Sequence, residues 1–192
     1  MTNNLLQLSH INPCWTLFLD RDGVLNYEKN DDYILNWEEF QFYETTLEAL
    51  ALLRSQFARI FLVTNQKGVG KGLMSLEDLQ NIHQNMLSAI RAKGGNLDHI
   101  FFCSDIDSDS PNRKPNPGMA FQAKTLYPEV DFTKSIMVGN RPSDMAFGKN
   151  AGMHTVFVAT THPETAFPHP QIDLRFNNLL EFAQALAQLR KS

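Results

Sequence analysis

Only two cysteines, Cys14 and Cys103, occur in the chain. They have neither the spacing of a zinc site nor the surroundings of a disulfide framework. Their expected role is as small core hydrophobes in a reducing compartment. No apolar run approaches the roughly 20 residues that span a bilayer. Residues 1–10 are polar, with Leu5, Leu6 and Leu8 too few for the apolar segment of a signal peptide, so a cytoplasmic protein without a membrane partner is expected. Positive charge is short as well: 17 Lys and Arg face 21 Asp and Glu, a net charge of −4. The cations are scattered rather than striped, so nucleic acid is not an expected partner. No repeat, low-complexity segment or interdomain linker is visible, and a monomeric single domain over residues 1–192 is expected.

What is present has globular proportions, 43% hydrophobic and 20% charged, in a length that can bury a sizeable core. Strands are expected at 15–19, 59–63, 99–103, 135–138 and 154–158 from short runs of apolar and β-favouring residues. Between them lie helical patterns at about 45–55, 75–93, 117–126 and 143–150, and a last one at 179–189. Ser75 with Asp78 reads as a capping box, and Gly152 as a C-terminal stop. This alternation predicts an α/β protein, a Rossmann-like doubly wound parallel sheet with helices on both faces. Residues 1–12 form a polar lead-in of uncertain structure. Residues 26–43, rich in aromatic and acidic side chains, read as an extended flap or hairpin beside the site.

The first four strands each lead to a polar cluster, and ligands in parallel α/β sheets collect beyond the carboxyl ends of the strands. Asp20 and Asp22 end the first and Thr64-Asn65 the second. Arg113-Lys114 follow the third after a loop, and Asn140 and Asp144 end the fourth. Phosphoryl transfer needs such an inventory of nucleophile, proton-transfer partner, donors, cation and metal. Asp20, deepest at its strand end, is the candidate nucleophile, and Asp22 the general acid and base. Thr64, backbone amides near Asn65, and Lys114 suit phosphate oxygens. Mg2+ prefers oxygen ligands and retains waters, which fits Asp20, the carbonyl of Asp22 and the side chain of Asn140. Asp144 can assist directly or by orienting a metal-bound water. Gly68-x-Gly70-x-Gly72 lacks the spacing of a dinucleotide fingerprint and reads as a phosphate- or sugar-contacting loop, or a simple turn.

The ordered set Asp20-x-Asp22-Gly23-Val24, Thr64-Asn65, Lys114-Pro115 and Gly139-Asn140-x-x-x-Asp144 resembles the haloacid dehalogenase-like (HAD) phosphatases over roughly residues 15–160. The runs around Asp20–Asn26, Asn65–Gly72 and Arg113–Pro115 are similar to the branch of histidinol-phosphate phosphatase and D-glycero-D-manno-heptose 1,7-bisphosphate 7-phosphatase. The resemblance implies a Mg2+-dependent phosphomonoesterase that forms an aspartyl-phosphate on Asp20, with Asp22 as acid and base. It implies that Thr64, Asn65 and Lys114 hold the transferring phosphate, and that Arg113 and the loop with Gly68 and Gly70 face a small phosphorylated metabolite. Heptose bisphosphate is the first expectation and histidinol phosphate the second. The intervals between motifs leave no room for a large cap domain. Two departures stand out. The zinc loop of that branch is replaced by an acidic segment with Asp105, Asp107 and Asp109, so no structural zinc is expected. Asn140 stands where the family has aspartate, which leaves open a non-catalytic binder of a phosphorylated ligand.

Overall fold

The computed structural model describes residues 6–190. At its centre lies β1 (Thr16–Leu19), buried at every position. It pairs in parallel with β2 (Arg59–Asn65) on one side and β4 (Ser135–Gly139) on the other. The sheet extends outward through β3 (His99–Cys103), β5 (His154–Val158) and β6 (Leu174–Phe176), in the order β3-β2-β1-β4-β5-β6. All pairings are parallel.

Alternation along the strands divides the core between two faces. Leu17, Leu19, Ile60, Leu62, Ile136 and Val138 pack in one cluster. On that face lie α1 (Thr46–Leu53), α3 (Leu76–Ala92) and α6 (Leu179–Leu189). Phe18, Phe61, Val63 and Met137 point the other way, onto α4 (Gly118–Leu126) and α5 (Pro142–Ala151). The near-continuous apolar composition of the strands follows from this two-sided burial. The Ser75 capping box is formed, with Asp78 N–H donating to the Ser75 hydroxyl and Ser75 N–H to Asp78. Gly152 closes α5 at φ 86°, a left-handed position.

The structure refines three readings. A sixth strand, β6, adds to the five expected; it is three residues long and only half-buried, so its sequence carries no period. Where the glycine run could be a contacting loop or a simple turn, Lys67–Gly70 forms a single helical turn, α2. The lead-in is partly built in: Leu6 and Ile11 are buried around a 3-10 turn, Leu8–His10. Residues 1–5 of that lead-in lie outside the described residues. The flap is closed at its base by an antiparallel bridge between Asn26 and Phe42 and carries a 3-10 turn, Trp37–Glu39. Phe40 stacks on Trp37 and reaches the core.

Candidate active site

The strand order reverses between β1 and β4, the switch point where a crevice opens beyond the carboxyl ends. Asp20 follows β1 there, its N–H donating to the Val138 carbonyl at 3.0 Å. Its carboxylate is buried and accepts from Lys114 Nζ at 2.6 Å. The same ammonium reaches Asp144 Oδ1 at 2.8 Å and the Val63 carbonyl at 2.9 Å, which uses all three lysine donors. Asp144 Oδ2 accepts from the N–H groups of Asn140 and Arg141, so this carboxylate also caps α5.

Two buried carboxylates thus share one ammonium. Burial pushes the Asp20 carboxyl up to about 7, Asp144 adds to the rise, and Lys114 opposes it. Burial works against the charge of Lys114, but Asp144 and Asp20 outweigh it and hold the ammonium protonated. Lys114 is placed from a distance in sequence by Asn65. The Asn65 amide donates to the Lys114 carbonyl at 3.1 Å, and Lys114 N–H donates back at 3.0 Å. The Asn65 side chain therefore fixes the lysine backbone.

Asp22 sits among donors. Arg21 Nε and Nη2 donate to Oδ1 at 3.2 and 2.9 Å, Asn26 Nδ2 to the same oxygen at 2.9 Å, and Gln66 Nε2 to Oδ2 at 3.1 Å. Burial raises its carboxyl, yet the Arg21 guanidinium and these hydrogen bonds outweigh it and hold it below the usual range. Gln66 also donates to the Thr64 hydroxyl at 2.8 Å, linking the ends of β1 and β2. Arg21, Asn26 and Gln66 were not singled out in the sequence. Arg21 lies inside the Asp20-x-Asp22 motif and Gln66 directly after Thr64-Asn65, but nothing in their spacing shows that they converge on one carboxylate.

Asn140 is fully buried. Its Nδ2 donates to the Thr161 hydroxyl at 2.7 Å, while its Oδ1 is buried with no protein partner. Gly23, at φ 84°, yields the space: a Cβ there would lie 2.0 Å from Asn140 Nδ2.

Asp20, Asp22, Thr64, Asn65, Arg113, Lys114 and Asp144 line a common cavity of about 610 Å³. Flap residues 28–34 and Arg141 complete its rim, with Arg141 paired to Glu28 at 3.0 Å. Arg113 is steadied by the Asp105 carbonyl at 3.2 Å. Gly68 and Gly70 are corrected: they do not line this cavity. A Cβ at Gly70 would come within 2.0 Å of the Ser104 carbonyl, and one at Gly68 would touch Met74 and Leu35. These glycines allow close packing, and Lys67 is the residue of that turn on the cavity.

The chain's own residues fit a divalent cation. A buried acceptor without a partner at Asn140 lies at the end of the strand beside Asp20, whose charge is disfavoured when only Lys114 offsets it. Among the described residues no three His, Cys, Asp or Glu side chains form a metal cluster. The candidate set instead combines one carboxylate, an amide oxygen and the Asp22 carbonyl, oxygen donors of the kind Mg2+ accepts.

A parallel α/β sheet with a buried, lysine-paired aspartate at its switch point is an arrangement that phosphoryl-transfer chemistry can use. Comparison with known proteins agrees. A family model described as HAD-hydrolase-like matches residues 111–181. The D-glycero-alpha-D-manno-heptose-1,7-bisphosphate 7-phosphatase of Mycobacterium bovis is 34% identical over 92% of this chain and 93% of its own. The D-glycero-beta-D-manno-heptose-1,7-bisphosphate 7-phosphatase of Helicobacter pylori is 32% identical over 83% of this chain and 91% of its own. A crystal structure of D,D-heptose 1,7-bisphosphate phosphatase from B. bronchiseptica, complexed with magnesium and phosphate, superposes with a TM-score of 0.82. It is 28% identical and covers 91% of this chain and 98% of that one. The chain belongs to the HAD-like phosphatase family.

Proposed function

We propose that the protein hydrolyses a phosphate monoester of D-glycero-D-manno-heptose 1,7-bisphosphate, removing the 7-phosphate through an aspartyl-phosphate on Asp20. The observation that carries this reading is the Asp20–Lys114–Asp144 triad, buried at the floor of a 610 Å³ cavity that Asp22 and Thr64 also line.

In the first step a carboxylate oxygen of Asp20 attacks phosphorus, the bond to the sugar oxygen breaks, and that oxygen takes a proton from Asp22. In the second, Asp22 accepts a proton from water. The hydroxide oxygen bonds to phosphorus, and the bond to Asp20 breaks to release inorganic phosphate. The donors around Asp22 favour its carboxylate, which suits the second step directly. The first step needs the proton on Asp22 Oδ2, which accepts from Gln66 alone among these donors and keeps a lone pair free. Lys114 and the Thr64 hydroxyl would hold phosphate oxygens, with Asp144 positioning the lysine. A magnesium ion held by Asp20, the Asp22 carbonyl and Asn140 would supply electrostatic stabilisation of the charge on the transferring phosphoryl group.

The substrate choice rests on the rim and on the relatives' names. Arg113 and Lys67 offer charge to a second anionic group, and Glu28, Asp31 and Asp32 can accept from sugar hydroxyls. A hydroxyl-rich bisphosphate suits this mixture better than histidinol phosphate, the second candidate. Phosphate release from the α and β anomers of the bisphosphate and from histidinol phosphate, with Mg2+ varied, is the direct test. Turnover of a heptose bisphosphate is expected, lowered about a thousandfold or more in Asp20→Asn. Equal turnover by wild type and Asp20→Asn would remove the nucleophile assignment. No turnover by wild type, with activity appearing in Asn140→Asp, would identify a non-catalytic binder instead.

A further inference from the structure

A carboxylate offers a cation two equivalent oxygens. An amide offers one, and its other end carries two N–H donors that need acceptors when buried. An asparagine at position 140 therefore works only if something receives its nitrogen. We propose that Thr161 is the positioning residue that enables Asn140 to serve a magnesium ion: its hydroxyl accepts the amide N–H and leaves Oδ1 as the free, buried acceptor. This inference rests on the magnesium reading above.

The observations form a closed set around three segments. Asn140 Nδ2 donates to Thr161 Oγ1 at 2.7 Å, and Oδ1 is buried without a protein partner. Gly23, the residue after Asp22, makes room for the amide on the other side, since any Cβ there would lie 2.0 Å from Nδ2. The neighbouring Thr160 hydroxyl donates to the Gly23 carbonyl, and Thr160 is also hydrogen-bonded to Tyr43. The turn after β5 is thereby tied to the turn after β1, and Thr161 is held where the amide nitrogen needs it. Reversing the amide would place N–H groups in the pocket of Oδ1, where a cation would repel them. Thr161 matters in this way only to an amide, because the two oxygens of a carboxylate are interchangeable toward the metal.

That asymmetry defines the test. Mg2+ binding is measured by calorimetry on the wild type, Thr161→Ser, Thr161→Val, Asn140→Asp, and the Asn140→Asp/Thr161→Val double variant. Thr161→Val is expected to weaken Mg2+ about tenfold in the wild-type background, while Thr161→Ser stays within about twofold. In the Asn140→Asp background Thr161→Val is expected to change affinity by less than about threefold, the difference between backgrounds being the coupling of the two side chains. Thermal melts of the metal-free forms check folding, and Thr161→Ala carries the comparison if Thr161→Val does not fold. The same loss in both backgrounds, or no loss in the wild type, overturns the role of Thr161 and leaves the magnesium site standing. Absence of Mg2+ binding in both the wild type and Asn140→Asp overturns the magnesium reading and this inference with it.

Discussion

Lys114 directs its three donors to three different segments: Asp20 after β1, the Val63 carbonyl in β2, and Asp144 in α5. Among the described residues its charge is the one cation in direct contact with either carboxylate, and it is buried with them. Removing one member of a buried charged network costs more than the network contributes, because it leaves uncompensated charge in a poorly solvated place. Lys114→Met should therefore lower unfolding stability by about 3–5 kcal/mol at pH 8. The loss should be smaller at pH 5, where Asp20 takes up a proton because its carboxyl titrates at about 7. Urea unfolding at both pH values checks this; an equal loss at the two, or none, would contradict the network. Among the candidate residues, Asp20, Asp22 and Thr64 were legible from sequence because each stands at or near the end of an apolar run, and Lys114 because Lys114-Pro115 falls in the ordered set of motifs. The pairings that hold them were not. Asn65 and Lys114 exchange hydrogen bonds across 49 positions, and Asn140 reaches Thr161 across 21. Pairings at that range follow from strand order rather than from local pattern.

Among the elements, β6 depends most on one polar group. Asp173, just before it, accepts from Lys149 Nζ at 2.6 Å in α5 and from Thr155 N–H at 2.8 Å in β5. The carboxyl is raised by burial, but His154, Lys149 and the Thr155 amide outweigh this and hold it far below its ordinary 3.8. A carboxylate depressed in the fold adds stability that is present above the unfolded value and is lost as pH falls below it. Asp173→Asn is thus expected to cost about 2 kcal/mol at pH 7, and measurably less at pH 3, where the loss has begun. Urea midpoints of the two proteins at these pH values decide the matter. A constant difference would mean that the side chain acts by shape alone. The same region shows where sequence reading reaches its end. β1, β2, β4 and β5 were legible because strands buried on both faces are nearly apolar throughout, β3 because its short run is apolar although partly exposed, and the long helices because their caps and stripes agree. β6 is short and half-exposed, so pairing with β5 creates it. In the 67–72 run, the glycines suggested a contacting loop or a simple turn. Gly70 is there because α2 presses against the Ser104 carbonyl, a contact between segments that local chemistry cannot announce.

At the scale of the whole molecule, the sheet gathers negative charge at one end. β1 and β4 deliver Asp20 and Asn140 side by side, α5 adds Asp144, and Lys114 touches both carboxylates. Such an arrangement couples global stability to protons and to cations. The folded Asp20 carboxyl, raised to about 7 from 3.8, binds a proton more tightly than the unfolded chain does. Its contribution to stability is therefore fully present below pH 3.8 and disappears as pH rises to about 7. In metal-free protein the stability of the wild type relative to Asp20→Asn should fall across that window and level off above it. A cation bound at the ionised carboxylate reverses the sign, because a ligand that prefers the folded state stabilises it by mass action. Mg2+ should accordingly raise the melting temperature of the wild type more at pH 8 than at pH 5, and should have little effect on Asp20→Asn at either. Melting curves with and without 10-fold excess of chelator over adventitious metal, at about three pH values, read both arms in one experiment. A magnesium shift that is independent of pH, or equal in Asp20→Asn, would show that the ion stabilises the protein from somewhere other than the end of β1.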